Sequence, residues 1–121
     1  MNVLKVSYKD INAPKKFTSS LRETGFSILT DHPIDPDLIK KVYKEWSLFF
    51  KDNRKVKYLY DPKNQDGYFP FKSENAKNSS IKDLKEFFHF YPWGKYPKEL
   101  GDRTLSLYSQ LIELSSILLS W

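Results

Sequence analysis

His32 and His89 are the only imidazoles in this chain of 121 residues, and the sequence around them offers few groups able to do chemistry. A non-haem iron site joins two histidines to one carboxylate, often with the acid two residues beyond the first histidine. Ile34 stands at that distance from His32 and Tyr91 from His89, so neither completes the pattern. Structural roles are expected instead, His32 as a hydrogen-bonder in a turn and His89 as a partly buried ring. No Gly-x-Ser-x-Gly elbow is present to activate a serine, and the four glycines form no phosphate-cradling loop. The absence of cysteine removes disulfides, thiolate nucleophiles and cysteine-ligated zinc together. Asp83 and Glu86 lie within one turn of each other, a spacing that suits a solvated helix start better than acid–base work. No residue is therefore assigned a catalytic, metal-binding or cofactor-binding role.

Charge raises a different question, because Lys and Arg outnumber Asp and Glu by 20 to 15. In Lys51–Tyr60 (KDNRKVKYLY) basic residues interleave with Tyr58 and Tyr60, an arrangement that could grip single-stranded nucleic acid. A helix end with cations near its negative pole explains the same residues. No matching basic face appears elsewhere, and acids such as Asp52, Asp61 and Asp66 are mixed in, so nucleic acid is not the favoured partner. The opening MNVLKVSYKD is no signal peptide, and no apolar run is long enough to span a bilayer. A soluble cytoplasmic protein with no membrane partner is expected. At 40% hydrophobic and 17% aromatic residues, one domain over 1–121 with an aromatic-rich core is the expectation.

The elements that must position these residues read as an α+β fold, three main helices with short strands. Val3 to Tyr8 alternates as a strand. Asn12 caps a helix with Pro14 in its first turn, and Ala13, Phe17, Leu21 and Thr24 fall on one face. Gly25 ends that helix in the left-handed conformation, and Phe26 to Thr30 follows as an apolar strand bounded by Asp31, His32 and Pro33. Asp35, Pro36 and Asp37 open a second helix, whose stripe of Ile39, Val42, Tyr43, Trp46, Phe49 and Phe50 is read as core. From Asp61 to Ser80 the chain turns polar, around an aromatic loop segment from Gly67 to Phe71 that could contact a ligand. Asp83 to Tyr91 reads as a helix turn running into a strand. The last helix starts near Asp102, with Leu105, Tyr108, Leu111, Ile112, Ser115, Leu118 and Leu119 in one stripe. Leu107, Leu114, Ile117 and Trp121 widen it beyond what one neighbour can cover.

Strand, helix, Gly25-Phe26 strand, His32 turn and Asp35-Pro36 helix, in that order, resemble the N-terminal region of the iron(II)- and 2-oxoglutarate-dependent dioxygenases, in particular the isopenicillin N synthase-like group. RETGFSILTDHPIDPDLI is close to a segment of that family, which typically has Asn-His-Gly where Asp31-His32-Pro33 stand here. Trp46 to Phe50, Gly67-Tyr68, the Asp83, Glu86 and Phe88 run and the lead from Tyr91 to Leu119 extend the resemblance over essentially the whole chain. The family's iron ligands, a His-x-Asp and a distal His, and its Arg-x-Ser for 2-oxoglutarate come from a catalytic jelly-roll barrel that follows the last helix. None of these motifs is present, and Arg22 with Thr24 is no substitute.

The resemblance implies an accessory, substrate-bordering region, shortened or part of a split enzyme, inert alone although its family is an oxidoreductase one. Fe(II) and 2-oxoglutarate belong to the complete enzyme, with none held in this chain. It places Tyr68, Phe88 and His89 beside the substrate. It offers Leu107, Leu114, Ile117 and Trp121 as an interface to a separate barrel chain or to a second copy. The strands at Val3 and Phe26 would then present open edges. The other reading is a small non-catalytic binding module, for a protein partner or single-stranded nucleic acid.

Overall fold

The structure, a computed structural model, describes residues 2–72 and 84–121. Its elements are β1 (Lys5–Ser7), α1 (Ala13–Thr24), β2 (Ile28–Thr30), α2 (Pro36–Lys51), a 3-10 turn (Asn53–Tyr58), β3 (Gly67–Phe69), β4 (Phe87–His89) and α3 (Arg103–Leu119). They group into two compact units, residues 1–39 with 106–121, and residues 40–105. The α+β class and the three helices are as the sequence predicts.

In the first unit β1 and β2 pair in parallel, Val6 opposite Leu29, with α1 as the crossover that parallel strands require. The sheet has only these two strands among the described residues, so each keeps one open edge. Val6, Ala13 and Ile34 are buried here. Ser20 is 1% exposed while Leu21, expected on the core face, is not buried. The reason is polar: Ser20 Oγ accepts from the Leu4 amide at 3.0 Å and donates to the Phe26 carbonyl at 2.7 Å, tying both strand starts to α1. Asn12 does not cap with its side chain. Asp10 organises that end instead, its carboxylate accepting from the Asn12 amide at 2.8 Å and from Lys16 Nζ at 2.5 Å. Gly25 does end α1 as expected, at φ 80°, its amide bonded to the Leu21 carbonyl. Asp35 opens α2, accepting from the Asp37 amide at 2.9 Å. Trp121 is half-buried, its ring 5.7 Å from Tyr8 and 5.5 Å from Phe17.

In the second unit α2 buries Val42 and Phe49. Tyr43 is a correction: it is 75% exposed, because it lies at the rim of the apolar arc and its hydroxyl keeps to water. The Gly67–Phe71 segment is a second correction. Rather than an exposed aromatic loop, Gly67–Phe69 is strand β3, antiparallel to β4, with Tyr68 3% and Phe69 2% exposed and only Phe71 open to solvent. Pairing supplies the backbone partners that an isolated loop would take from water. Of the Asp83–Tyr91 run, Asp83 lies outside the described residues, as do residues 73–80, expected as a loop; Leu84 to Glu86 are not helical, and the strand expected there is β4. Gly67 adopts φ 108°, and a Cβ there would stand 2.6 Å from the Tyr58 carbonyl oxygen.

Candidate functional site

Alternation along β4 divides the three residues expected beside a substrate. Tyr68 and Phe88 are register partners on the face turned to α2. Phe88 packs tilted 4.9 Å from Trp46 and edge-to-face 5.7 Å from Phe49, and Tyr68 lies 6.3 Å from Phe49. His89 belongs to the opposite face with Phe87, since successive strand residues point to opposite sides. There Tyr60, Phe69 and Phe87 form a parallel stack at 4.1 Å and 4.6 Å, with the His89 ring 4.6 Å from Phe69. His89 Nδ1 is 2.9 Å from the Gln65 carbonyl oxygen. The hairpin thus brings Tyr68 and Phe88 together and sets His89 apart.

Beside Tyr68 and Phe88 sits a polar cluster assembled from distant parts of the sequence. The Tyr68 hydroxyl donates to Glu86 Oε2 at 2.6 Å, and Lys55 Nζ donates to the same oxygen at 2.9 Å and to the Phe50 carbonyl at 2.7 Å. Lys55 also lies 5.4 Å from the centre of the Tyr68 ring. Burial pushes the Glu86 carboxyl up, but the Tyr68 hydroxyl and the Lys55 ammonium together outweigh it, leaving it below the usual carboxylate value. The hydrogen bond to Glu86 raises the Lys55 ammonium, and burial, then the Glu86 bond, raises the Tyr68 phenol. Glu86 is therefore an ionised acceptor at neutral pH.

Trp46, Phe50, Glu86, Phe88, Phe90 and Thr104 line an open cavity of about 390 Å³. The Trp46 indole N–H donates to Thr104 Oγ1 at 2.8 Å, fixing the ring that forms its floor. Sequence reasoning took Trp46 as plain core and gave Glu86 little weight. The signal was absent locally, because Lys55 and Glu86 are 31 residues apart and Trp46 and Thr104 are 58 apart.

His32 is half-buried, and its Nδ1 is buried without a hydrogen-bond partner among the described residues, contrary to the turn-bonding role expected of it. In the basic Lys51–Tyr60 segment, Arg54 is bonded to Asp52 at 2.7 Å and Lys55 to Glu86. Hydrogen bonds from Arg54 hold the Asp52 carboxyl down at about 2. On α3, Leu107 and Leu114 are half-buried and Ile117 is exposed. Leu114 and Ile117 line a cavity of about 460 Å³ with Tyr8 and Ile34. The most open apolar side chains of the helix are others of its stripe, Ile112 and, at 88%, Leu119. No group of three or more His, Asp or Glu among the described residues could hold a metal ion. No helix among the described residues is long and apolar enough to cross a membrane.

The chain is similar to the crystal structure of a protein from Shewanella oneidensis proposed to be an oxygenase, with 38% identity and a TM-score of 0.87. The match covers 100% of this chain and 42% of that one, so the chain spans less than half the length of this relative. No curated protein matches it. Over residues 9–110 it matches the family described as the N-terminal region of the non-haem dioxygenase in morphine synthesis. The chain therefore belongs to the non-haem dioxygenase N-terminal family, and its fold is that of the N-terminal part of an oxygenase.

Proposed function

We propose that this chain is the non-catalytic N-terminal region of an iron(II)- and 2-oxoglutarate-dependent dioxygenase of the isopenicillin N synthase-like type. Its α3 would dock on a catalytic barrel lying outside these 121 residues, and its β3–β4 hairpin would border the substrate through Tyr68 and Phe88. Iron and 2-oxoglutarate would be held by the barrel, where they supply oxygen activation. The residues of this chain shape and dry one wall. The proposed setting is a soluble cytoplasmic enzyme.

The observation that carries this reading is the uncovered apolar face of α3, with Leu111, Ile112 and Leu119 all open to solvent. Scattered apolar exposure is ordinary, but one helix face this apolar marks an interaction surface. In a chain matching 42% of an oxygenase, the remainder of such an enzyme is the natural cover.

The test is association with the remaining, unmatched portion of the Shewanella oneidensis relative, taken as the barrel of this proposal, followed by light scattering. A one-to-one complex is expected, with 2-oxoglutarate turnover only when the barrel is present. Turnover by this chain alone, supplied with Fe(II) and 2-oxoglutarate, would overturn the non-catalytic role. A chain that stays monomeric and ignores the barrel at tens of micromolar (~7 kcal/mol of binding at most) would overturn the docking role. A stable dimer of this chain would point instead to self-association through the same face.

A further inference from the structure

The cavity over Trp46 has a chemistry of its own, beyond the presence of aromatic walls. Trp46, Phe50, Phe88 and Phe90 make it largely apolar, and its volume of about 390 Å³ suits a small organic molecule. Its polar groups are almost fully committed. The indole N–H is bonded to Thr104, and Glu86 Oε2 receives both the Tyr68 hydroxyl and the Lys55 ammonium. Glu86 Oε1 accepts no hydrogen bond among the described residues, and Glu86 lines the cavity.

Charge narrows the class further. The Glu86 carboxylate and the Lys55 ammonium are 2.9 Å apart with side chains 16% and 19% exposed, so together they present no net charge. A bound anion would meet the Glu86 carboxylate, and a bound cation would find that carboxylate already neutralised by Lys55. Either ion would leave water without a counter-charge to replace it. An uncharged molecule escapes that cost, and one with a hydroxyl or N–H can use the open acceptor, where a bond to an ionised group is stronger than a neutral one.

Granted that the hairpin borders the substrate as proposed above, we infer that the Trp46–Phe88 cavity takes an uncharged, largely apolar molecule that directs one hydrogen-bond donor at Glu86 Oε1. Glu86 is then a specificity-determining residue, and Lys55 and Tyr68 are positioning residues that hold its carboxylate and leave Oε1 open.

The experiment is an NMR titration of the chain with p-cresol, 4-methylanisole, 4-methylbenzoate and 4-methylbenzylamine, four probes with one common ring. The Trp46 indole N–H and the Phe88 amide report on the cavity. Saturable shifts with p-cresol are expected, with 4-methylanisole about tenfold weaker for want of a donor and both ions weaker still. Glu86→Gln should bring p-cresol and 4-methylanisole to within about threefold, because the acceptor loses its charge. Equal binding of p-cresol and 4-methylanisole by the unsubstituted chain, tighter binding of either ion, or no saturable shift overturns the inference without recourse to a variant. Any of these leaves barrel association intact. Loss of barrel association with the p-cresol preference retained would count against the accessory role and not against the cavity.

Discussion

Tyr68 and Phe88 face each other across the β3–β4 hairpin and set their rings against the same residue of α2, Phe49, at 6.3 Å and 5.7 Å. Phe49 is buried and also touches Trp46, Phe50 and Tyr58, so one ring joins the hairpin, α2 and the 3-10 turn. Each aromatic pair adds roughly 0.5–1.5 kcal/mol beyond the area it buries.

Phe49→Ala should accordingly cost about 3–5 kcal/mol, a large part of the stability of a small domain. Urea denaturation followed by tryptophan fluorescence measures it. Tyr43→Ala, on the exposed rim of the same helix, should stay within about 0.5 kcal/mol. A comparable loss at both positions would mean that the aromatic junction does not carry the unit.

Sequence periodicity separates these two tyrosine and phenylalanine positions poorly. The elements of the chain were legible because each rests on local chemistry: Gly25 at a left-handed helix end, Asp35 and Pro36 at a helix start, short apolar strands between them. The hairpin was not, because β3 has three residues and β4 lies some twenty residues on, across a polar stretch. Its register is set by tertiary pairing and not by turn type. Ser20 was missed for a related reason, since its burial is fixed by bonds to Leu4 and Phe26 and not by its place on the helix. The sequence reading grouped Tyr68, Phe88 and His89, whereas strand alternation puts His89 on the other face of the hairpin. The Lys55–Glu86 contact joins residues that no local pattern connects.

Gly67→Ala should destabilise far more than Gly25→Ala. Both glycines have positive φ, but a Cβ at Gly25 meets nothing within 4 Å, whereas at Gly67 it falls 2.6 Å from the Tyr58 carbonyl oxygen and 3.1 Å from the Tyr60 Cα. Gly25→Ala should cost about 1–2 kcal/mol of conformational strain alone. Gly67→Ala adds a backbone clash at the start of β3, so it should exceed that figure and displace the hairpin. Paired thermal melts, with NMR shifts of Tyr68 and Phe88, distinguish the two.

Stability should have a broad pH plateau bounded by the Lys55–Glu86–Tyr68 cluster. Folding lowers the Glu86 pKa from its ordinary 4.5, so its contribution is complete above 4.5 and is lost as pH falls through the lowered value. Folding raises Lys55 above 10.5 and Tyr68 above 10.0, so their contributions are complete below those values and are lost as pH rises through the folded ones. Asp10, Asp52, Asp61 and Glu99 are also lowered and share the acid limb. Melting temperatures of the wild-type chain and Glu86→Gln across pH 2–12 isolate the part due to the cluster. The difference between them should shrink toward the acid end and, once Lys55 deprotonates, toward the alkaline end. A difference independent of pH would mean that the cluster stabilises by shape alone.

Replacing Leu111, Ile112 and Leu119 together by Gln should separate folding from docking. Leu119 is 88% exposed and Leu111 and Ile112 are 45% and 51% exposed, so the change should cost the isolated chain only about 1 kcal/mol. The same change removes apolar area that would be buried against a barrel, at about 25 cal/mol per Å². Truncating several central interface side chains commonly costs more than 2 kcal/mol, over tenfold in affinity. Association with the unmatched portion of the Shewanella oneidensis relative should therefore weaken more than tenfold while the urea midpoint hardly moves. If the midpoint falls steeply instead, these leucines and this isoleucine serve the fold of the chain itself, and the docking face must be sought elsewhere on the molecule.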